Sequence, residues 1–200
     1  MSRPKNKEEA ILAAAIKIFV EKGFTQSSIQ DIANTAGIAK GTIYGYFRTK
    51  EELFIQAFKL HTRLYIKQID NIAMGEKTVI AKLDNLLSIF FGVSAEEHHK
   101  WMDFIFFSEF RHLNPGFRIE VHLVLNNMRD KFTGKINQIL IQGINNDEVR
   151  ALDIDSAARS IGSLIMGTSM QLRDNQYSAE QIKQEKAKIL DFIIMGIGKR

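Results

Sequence analysis

Apolar residues recur every three or four positions along most of this 200-residue chain, the spacing that places them on one buried face of a helix. Ile11, Ala14, Ala15, Ile18 and Phe19 form the first such stripe. Gly23 follows where a C-terminal turn residue belongs, so the pattern predicts a helix over about 7–22. Ser27 with Gln30 three residues on is a capping-box pattern, opening a short helix that carries Ile29, Ile32, Ala33 and Ala36. Gly37 then turns the chain, and Ile38, Ile43 and Phe47 set the rhythm of a second short helix at about 39–46. Two short helices around a tight glycine turn make a helix-turn-helix. Thr49 and Glu52 repeat the capping pattern ahead of a long helix through Leu53, Ala57, Leu60 and Leu64 towards Ala73.

Further helices are predicted at about 77–93, 97–112, 116–143, 153–173 and 179–197. The breaks between them read SAEE, LNPG, NNDEVRALD and NQYS. Pro4 and Pro115 are the only prolines and strand-like alternation is scarce, so the expected class is all-α. The segment 97–112 contains WMDFIFFSEF, apolar nearly all the way round, which predicts burial on several sides.

Composition narrows the chemistry. The chain is 45% hydrophobic and 25% charged, enough apolar material for a core, and its lack of cysteine excludes disulfides and thiolate metal sites. The start MSRPKNKEEA has no signal-peptide core and no apolar run reaches the length of a membrane span, so a cytoplasmic protein with no membrane partner is expected. Net charge is +4, and residues 1–60 hold nine Lys/Arg against six acids while the rest of the chain is nearly balanced. A basic end on a neutral body is the electrostatic footprint of a polyanion partner. His98, His99, His112 and His122 lack metal-ligand spacing, the adjacent pair pointing to different helix faces, so no metal or cofactor is expected. No nucleophile stands with a spaced base and no glycine motif cradles phosphate, which argues against an enzyme.

Glycines at 37, 41 and 45 recur every four residues within the helix-turn-helix. Each costs a helix interior roughly 1 kcal/mol relative to Ala, so each asks for a reason. The string AAAIKIFVEKGFTQSSIQDIANTAGIAKGTIYGYFRTKEELF supplies one. Its spaced elements Gly23–Phe24, Ser27–Ser28–Ile29, Ile32–Ala33, Ala36–Gly37, Thr42, Ile43–Tyr44, Tyr46–Phe47 and Lys50–Glu51 resemble the DNA-binding domain of the TetR/AcrR family of bacterial transcriptional regulators. The likeness covers about residues 7–60, the first third of the chain.

That resemblance implies an N-terminal three-helix DNA-binding domain, residues 1–50, joined through the long helix 50–73 to a helical effector-binding and dimerisation domain within 51–200. It implies a homodimer on palindromic double-stranded operator DNA, acting as a repressor released by a small hydrophobic effector. An activator or a ligand-independent DNA-binding dimer is the alternative. The groove helix would present Ala39, Lys40, Gly41, Thr42 and Tyr44 to bases and nearby phosphates, with Ser28, Gln30, Tyr46 and Lys50 clamping the backbone. Ala39 and Gly45 depart from the family's pattern, which commonly has a serine at the first position and a large polar or aromatic residue at the second. An effector pocket would be lined by Trp101, Phe104, Phe106, Phe107 and Phe110 with Met128, Met166 and Met170. The two last helices would dimerise through Ala157, Ile161, Leu164, Ile165, Ile189, Phe192 and Ile193.

Overall fold

A computed structural model describes residues 7–75, 77–91, 113–174 and 177–198. Among these residues the chain is built of eight helices. In order they are α1 (Lys7–Gln26), α2 (Ile29–Ala36), α3 (Lys40–Tyr44), α4 (Lys50–Met74), α5 (Val79–Phe91), α6 (Pro115–Asn145), α7 (Ile154–Asp174) and α8 (Ala179–Ile197). The expected all-α class is therefore observed, and the one β feature described is an isolated antiparallel bridge between Val149 and Gly198. The predicted helix at 97–112 lies outside the described residues. Two compact units result, one formed by residues 1–64 with 97–127 and the other by 65–96 with 128–200.

In the first unit the α1 stripe packs as its spacing predicts, Ile11 and Ala15 reaching 0% exposure. Gly23 has φ 73°, ψ 176°, a left-handed conformation that breaks α1 and is open to glycine at little cost. The chain then carries Phe24 into the core, where its ring lies 5.3 Å from Phe54 of α4 and 5.1 Å from Phe117 of α6. Ile32, Ala33, Ile43, Phe47, Leu53 and Phe58 complete the core, so α2, α3 and the first turns of α4 are held by apolar burial on one side. A large buried aliphatic or aromatic side chain is worth roughly 1.5–3 kcal/mol.

The cap of α2 differs from the sequence expectation by one residue. Ser27 is buried and its hydroxyl donates to the Phe24 carbonyl at 2.8 Å. Ser28 is the N-cap instead. Its Oγ accepts from the Asp31 N–H at 3.0 Å, and its own N–H donates back to Asp31 Oδ2 at 3.0 Å. Asp31 thus replaces Gln30 in the box, because the residue that faces solvent at the cap, and not the buried one before it, is free to turn towards the helix amides. Thr49 does accept from the Glu52 N–H at 3.0 Å, while the Glu52 carboxylate takes the Arg48 N–H at 2.7 Å.

The second unit is organised on α5. Leu83, Leu86 and Leu87 of that helix are fully buried, packed with Ile69 of α4, Phe132, Ile136 and Ile139 of α6, Ala158 and Ile165 of α7, and Ile193 of α8. Three long-range polar contacts fix it. The Glu148 carboxylate accepts from the Val79 N–H at 2.8 Å, satisfying an orphan amide of the first turn of α5 from 69 residues away. Lys82, 4% exposed, donates to the Ala73 carbonyl at 2.9 Å and to Gln142 Oε1, closing the C-terminal end of α4. Lys186 of α8 bridges Asp84 and Ser88 of α5 at 2.8 and 2.7 Å. At Gly143 a Cβ would meet methyls of Val79 and Val149 at 2.5 Å, so only glycine admits this approach.

Candidate nucleic-acid interface

Helices α2 and α3 meet around Gly37, whose φ of 68° and ψ of 33° close α2 in the left-handed region, its N–H donating to the Ala33 and Asn34 carbonyls. Five residues long, α3 is shorter than the expected 39–46. Ala39 is its N-cap and offers no side-chain acceptor, so the departure from serine removes a cap as well as a hydroxyl. Gly45 ends it in ordinary right-handed geometry, φ −70° and ψ −21°. Ile43 and Phe47 anchor the element in the core. The residues between them turn outwards, with Tyr44 at 48% and Tyr46 at 46% exposure, among the large apolar side chains most exposed in this unit.

The exposed groups carry the chemistry of a groove reader. Lys40 is free of ion pairs among the described residues and its ammonium lies 6.0 Å from the Tyr44 ring centroid. Gly41 is exposed, with nothing within 4 Å of the position a Cβ would take. Thr42 is half-buried beside it. On α2, Gln30 is exposed and donates through Nε2 to Asn34 Oδ1 at 2.9 Å, so the two amides form one polar pair.

Two of the expected clamps are otherwise engaged. Ser28 Oγ donates to Asp31 Oδ2 at 2.7 Å while accepting from the Asp31 amide, which uses the hydroxyl in both directions. Asp31 is in turn 2.9 Å from Lys22, and the Lys22 and Ser28 hydrogen bonds hold its pKa below the usual carboxylate value. Lys50 folds inwards. Its ammonium stands 4.5 Å from the Phe24 ring centroid and donates to the Thr25 carbonyl at 3.3 Å, and burial lowers its pKa. Arg48, which the sequence reading did not single out, is exposed on the turn between α3 and α4. Its backbone N–H is taken by Glu52, which leaves the guanidinium as a cation at that helix start. The signal for it was a basic residue between an anchored Phe47 and a capping Thr49.

In the second unit the other expected residues separate. Trp101, Phe104, Phe106, Phe107 and Phe110 lie outside the described residues. Met128 is buried, Met166 packs at the edge of the core of the second unit, and Met170 is 37% exposed. Ile165 at 0% exposure, Ile161 and Ile193 are buried with the core of that unit, and Ile161 and Ile193 also reach the floor of the groove between α7 and α8. Ala157, Leu164 and Ile189 are half-buried, and Phe192 stands out at 69% exposure with Met195 at 74%. Ala157, Leu164 and Phe192 line an apolar groove of about 580 Å³ between α7 and α8, with Arg150 and Asp153 at its polar edge.

A helix-turn-helix held by its own small core, with polar and aromatic side chains on the outward face of the second helix, defines a DNA-binding regulator of transcription. Residues 11–57 match the bacterial regulatory proteins of the tetR family. It is similar from end to end to the fatty acid metabolism regulator protein of Bacillus subtilis (strain 168), 27% identical over 98% of each chain. The crystal structure of FadR from Bacillus subtilis in complex with stearoyl-CoA is similar in fold at a TM-score of 0.70 and 27% identity, covering 94% of this chain and 98% of that one. A transcriptional regulator from Cytophaga hutchinsonii shares the fold at a TM-score of 0.77 and 20% identity, covering 96% and 99%. No helix among the described residues is long and apolar enough to cross a membrane.

Proposed function

We propose that the chain is a homodimeric repressor that leaves a palindromic operator when a long-chain acyl-CoA binds its second unit. The observation that carries this reading is the likeness, over nearly the whole of both chains, to a fatty acid metabolism regulator whose fold has been captured with stearoyl-CoA. Lys40 and Thr42 offer donors to base edges, and a thymine methyl fits against the threonine methyl. Gly41 lets the helix backbone approach the bases, and Tyr44 flanks the phosphates. Gln30, Tyr46 and Arg48 hold the backbone, and Lys50 joins them from its place over the Phe24 ring.

The groove between α7 and α8 supports the dimer. Phe192 and Met195, more than two-thirds exposed beside it, are large apolar side chains that a second copy would cover. Two-fold symmetry places the paired α3 helices on half-sites about 34–36 Å apart or a multiple of it.

Selection of genomic fragments bound by the purified protein supplies the operator. Its affinity is then measured by fluorescence anisotropy with and without stearoyl-CoA. Release at stoichiometric acyl-CoA is expected. Unchanged affinity with stearoyl-CoA and with shorter acyl chains would refute the effector and favour a ligand-independent dimer. Phe192→Glu together with Met195→Glu should give a monomer by analytical ultracentrifugation, and an intact dimer would refute the proposed surface.

A further inference from the structure

Phe117, on the first turn of α6, packs into the core of the first unit from a part of the chain that is remote in sequence. Its ring lies 5.1 Å from Phe24 and 5.4 Å, edge to face, from Phe54. Phe24 is in turn the ring over which the Lys50 ammonium sits at 4.5 Å, with the Thr25 carbonyl as its acceptor at 3.3 Å. Three side chains from α6, the end of α1 and the start of α4 are thus in series. Gly23 precedes this Phe24–Thr25 segment with a backbone break at φ 73°, so the position of the segment depends on what packs against it and not on a continuous helix. The later turns of α6, from Met128 onwards, belong to the second unit.

We propose that Phe117 is a positioning residue for DNA binding: by holding the Phe24 ring in place it sets where the Lys50 ammonium rests and whether that cation reaches a phosphate. The ammonium on Phe24 is held by a ring face and one carbonyl, contacts weak enough to exchange for a phosphate oxygen. If Phe24 tilts, the resting point of Lys50 moves with it and the phosphate contact is lost. The α6 helix thereby gains a handle on DNA affinity that bypasses the base-reading face of α3. This inference rests on Lys50 gripping a phosphate, as proposed above.

The test uses the full chain and a mixed-sequence DNA duplex, because phosphate contacts are independent of sequence and each adds about 0.9 to the slope of log affinity against log salt. Slopes are measured for wild type, Lys50→Met, Phe24→Leu, Phe117→Leu and the Phe117→Leu/Lys50→Met double variant, with thermal melts alongside. The expected result is a slope shallower by about one in each single variant and no shallower in the double. A variant that merely loosens the fold lowers the melting temperature and leaves the slope alone. A wild-type slope in both Phe117→Leu and Phe24→Leu, with a reduced one in Lys50→Met, overturns the relay and leaves the Lys50 contact standing. A wild-type slope in Lys50→Met overturns the contact itself and the relay with it. Should Phe117→Leu fail to fold, Phe117→Met takes its place, with the same two outcomes.

Discussion

The Lys22 ammonium, at the end of the regular part of α1, lies 2.9 Å from Asp31 Oδ1 in the first turn of α2, and the other oxygen of the same carboxylate holds both the amide and the hydroxyl of Ser28. One acid therefore closes the joint between α1 and α2, caps a helix, and pairs with a cation of the unit proposed to bind DNA. Asp31→Asn should lower the melting temperature by a few degrees. Because it releases Lys22 and removes a negative charge, it should also tighten binding to mixed-sequence DNA and steepen the salt slope by up to about one. Titration calorimetry or anisotropy across a salt series checks this, and weaker binding at unchanged slope would contradict it. The depressed Asp31 pKa means this joint contributes stability above the unfolded carboxylate value and loses it as pH falls through the folded one.

His61 of α4 is 8% exposed, and burial lowers its pKa to about 4. The unfolded chain protonates near 6.5, so between those values the unfolded state holds the extra proton. Stability should be fully present above pH 6.5, decline as pH falls towards 4, and level off below that, with a total loss on the order of 3 kcal/mol. Urea unfolding midpoints at pH 7, 6, 5 and 4 measure it. In His61→Gln this part of the decline should vanish.

Lys40→Ala should weaken operator binding by about 1–3 kcal/mol if the ammonium reads a base. Competition between operator and a scrambled duplex separates the two roles. An equal loss on both sequences would make Lys40 a phosphate contact.

Gly41→Ala should separate stability from binding. The site has open space around the missing Cβ and no left-handed backbone, so Ala should raise stability by about 0.5–1 kcal/mol through helix propensity. The same methyl stands on the face proposed to meet DNA, and operator affinity should fall. A melt and an anisotropy titration on one preparation give both signs. At Gly45, where a Cβ would meet only the Thr42 carbonyl at 3.3 Å, a large aromatic side chain should strengthen binding instead.

Gly143→Ala should cost about 1–3 kcal/mol or more, since the new methyl would lie 2.5 Å from methyls of Val79 and Val149. The Glu148 carboxylate that caps α5 sits on the same bend. A loss of that size in chemical denaturation, with DNA affinity per folded molecule unchanged, is the expected outcome.

What the chain of residues determined alone is whatever interactions within three or four positions decide. The α1 stripe, the turn at Gly37, the Thr49 cap and the order of the described helices all follow from that short range. The dense run of matching residues from Gly23 to Glu51 places the family on the same local footing. Tertiary structure decided every question of what covers what. Periodicity marks Ile165 and Phe192 alike as apolar helix positions, yet one is fully buried by its own chain and the other is 69% exposed, because only Ile165 lies on a face packed into the core of the second unit. Spacing points to Ser27 as the cap, yet the core claims that residue and leaves the role to Ser28. Lys50 folds onto Phe24, and Phe117 enters the core of the first unit, through contacts between residues 26 and 93 positions apart. Such pairings carry no periodic trace, since burial rewards contact regardless of distance along the chain.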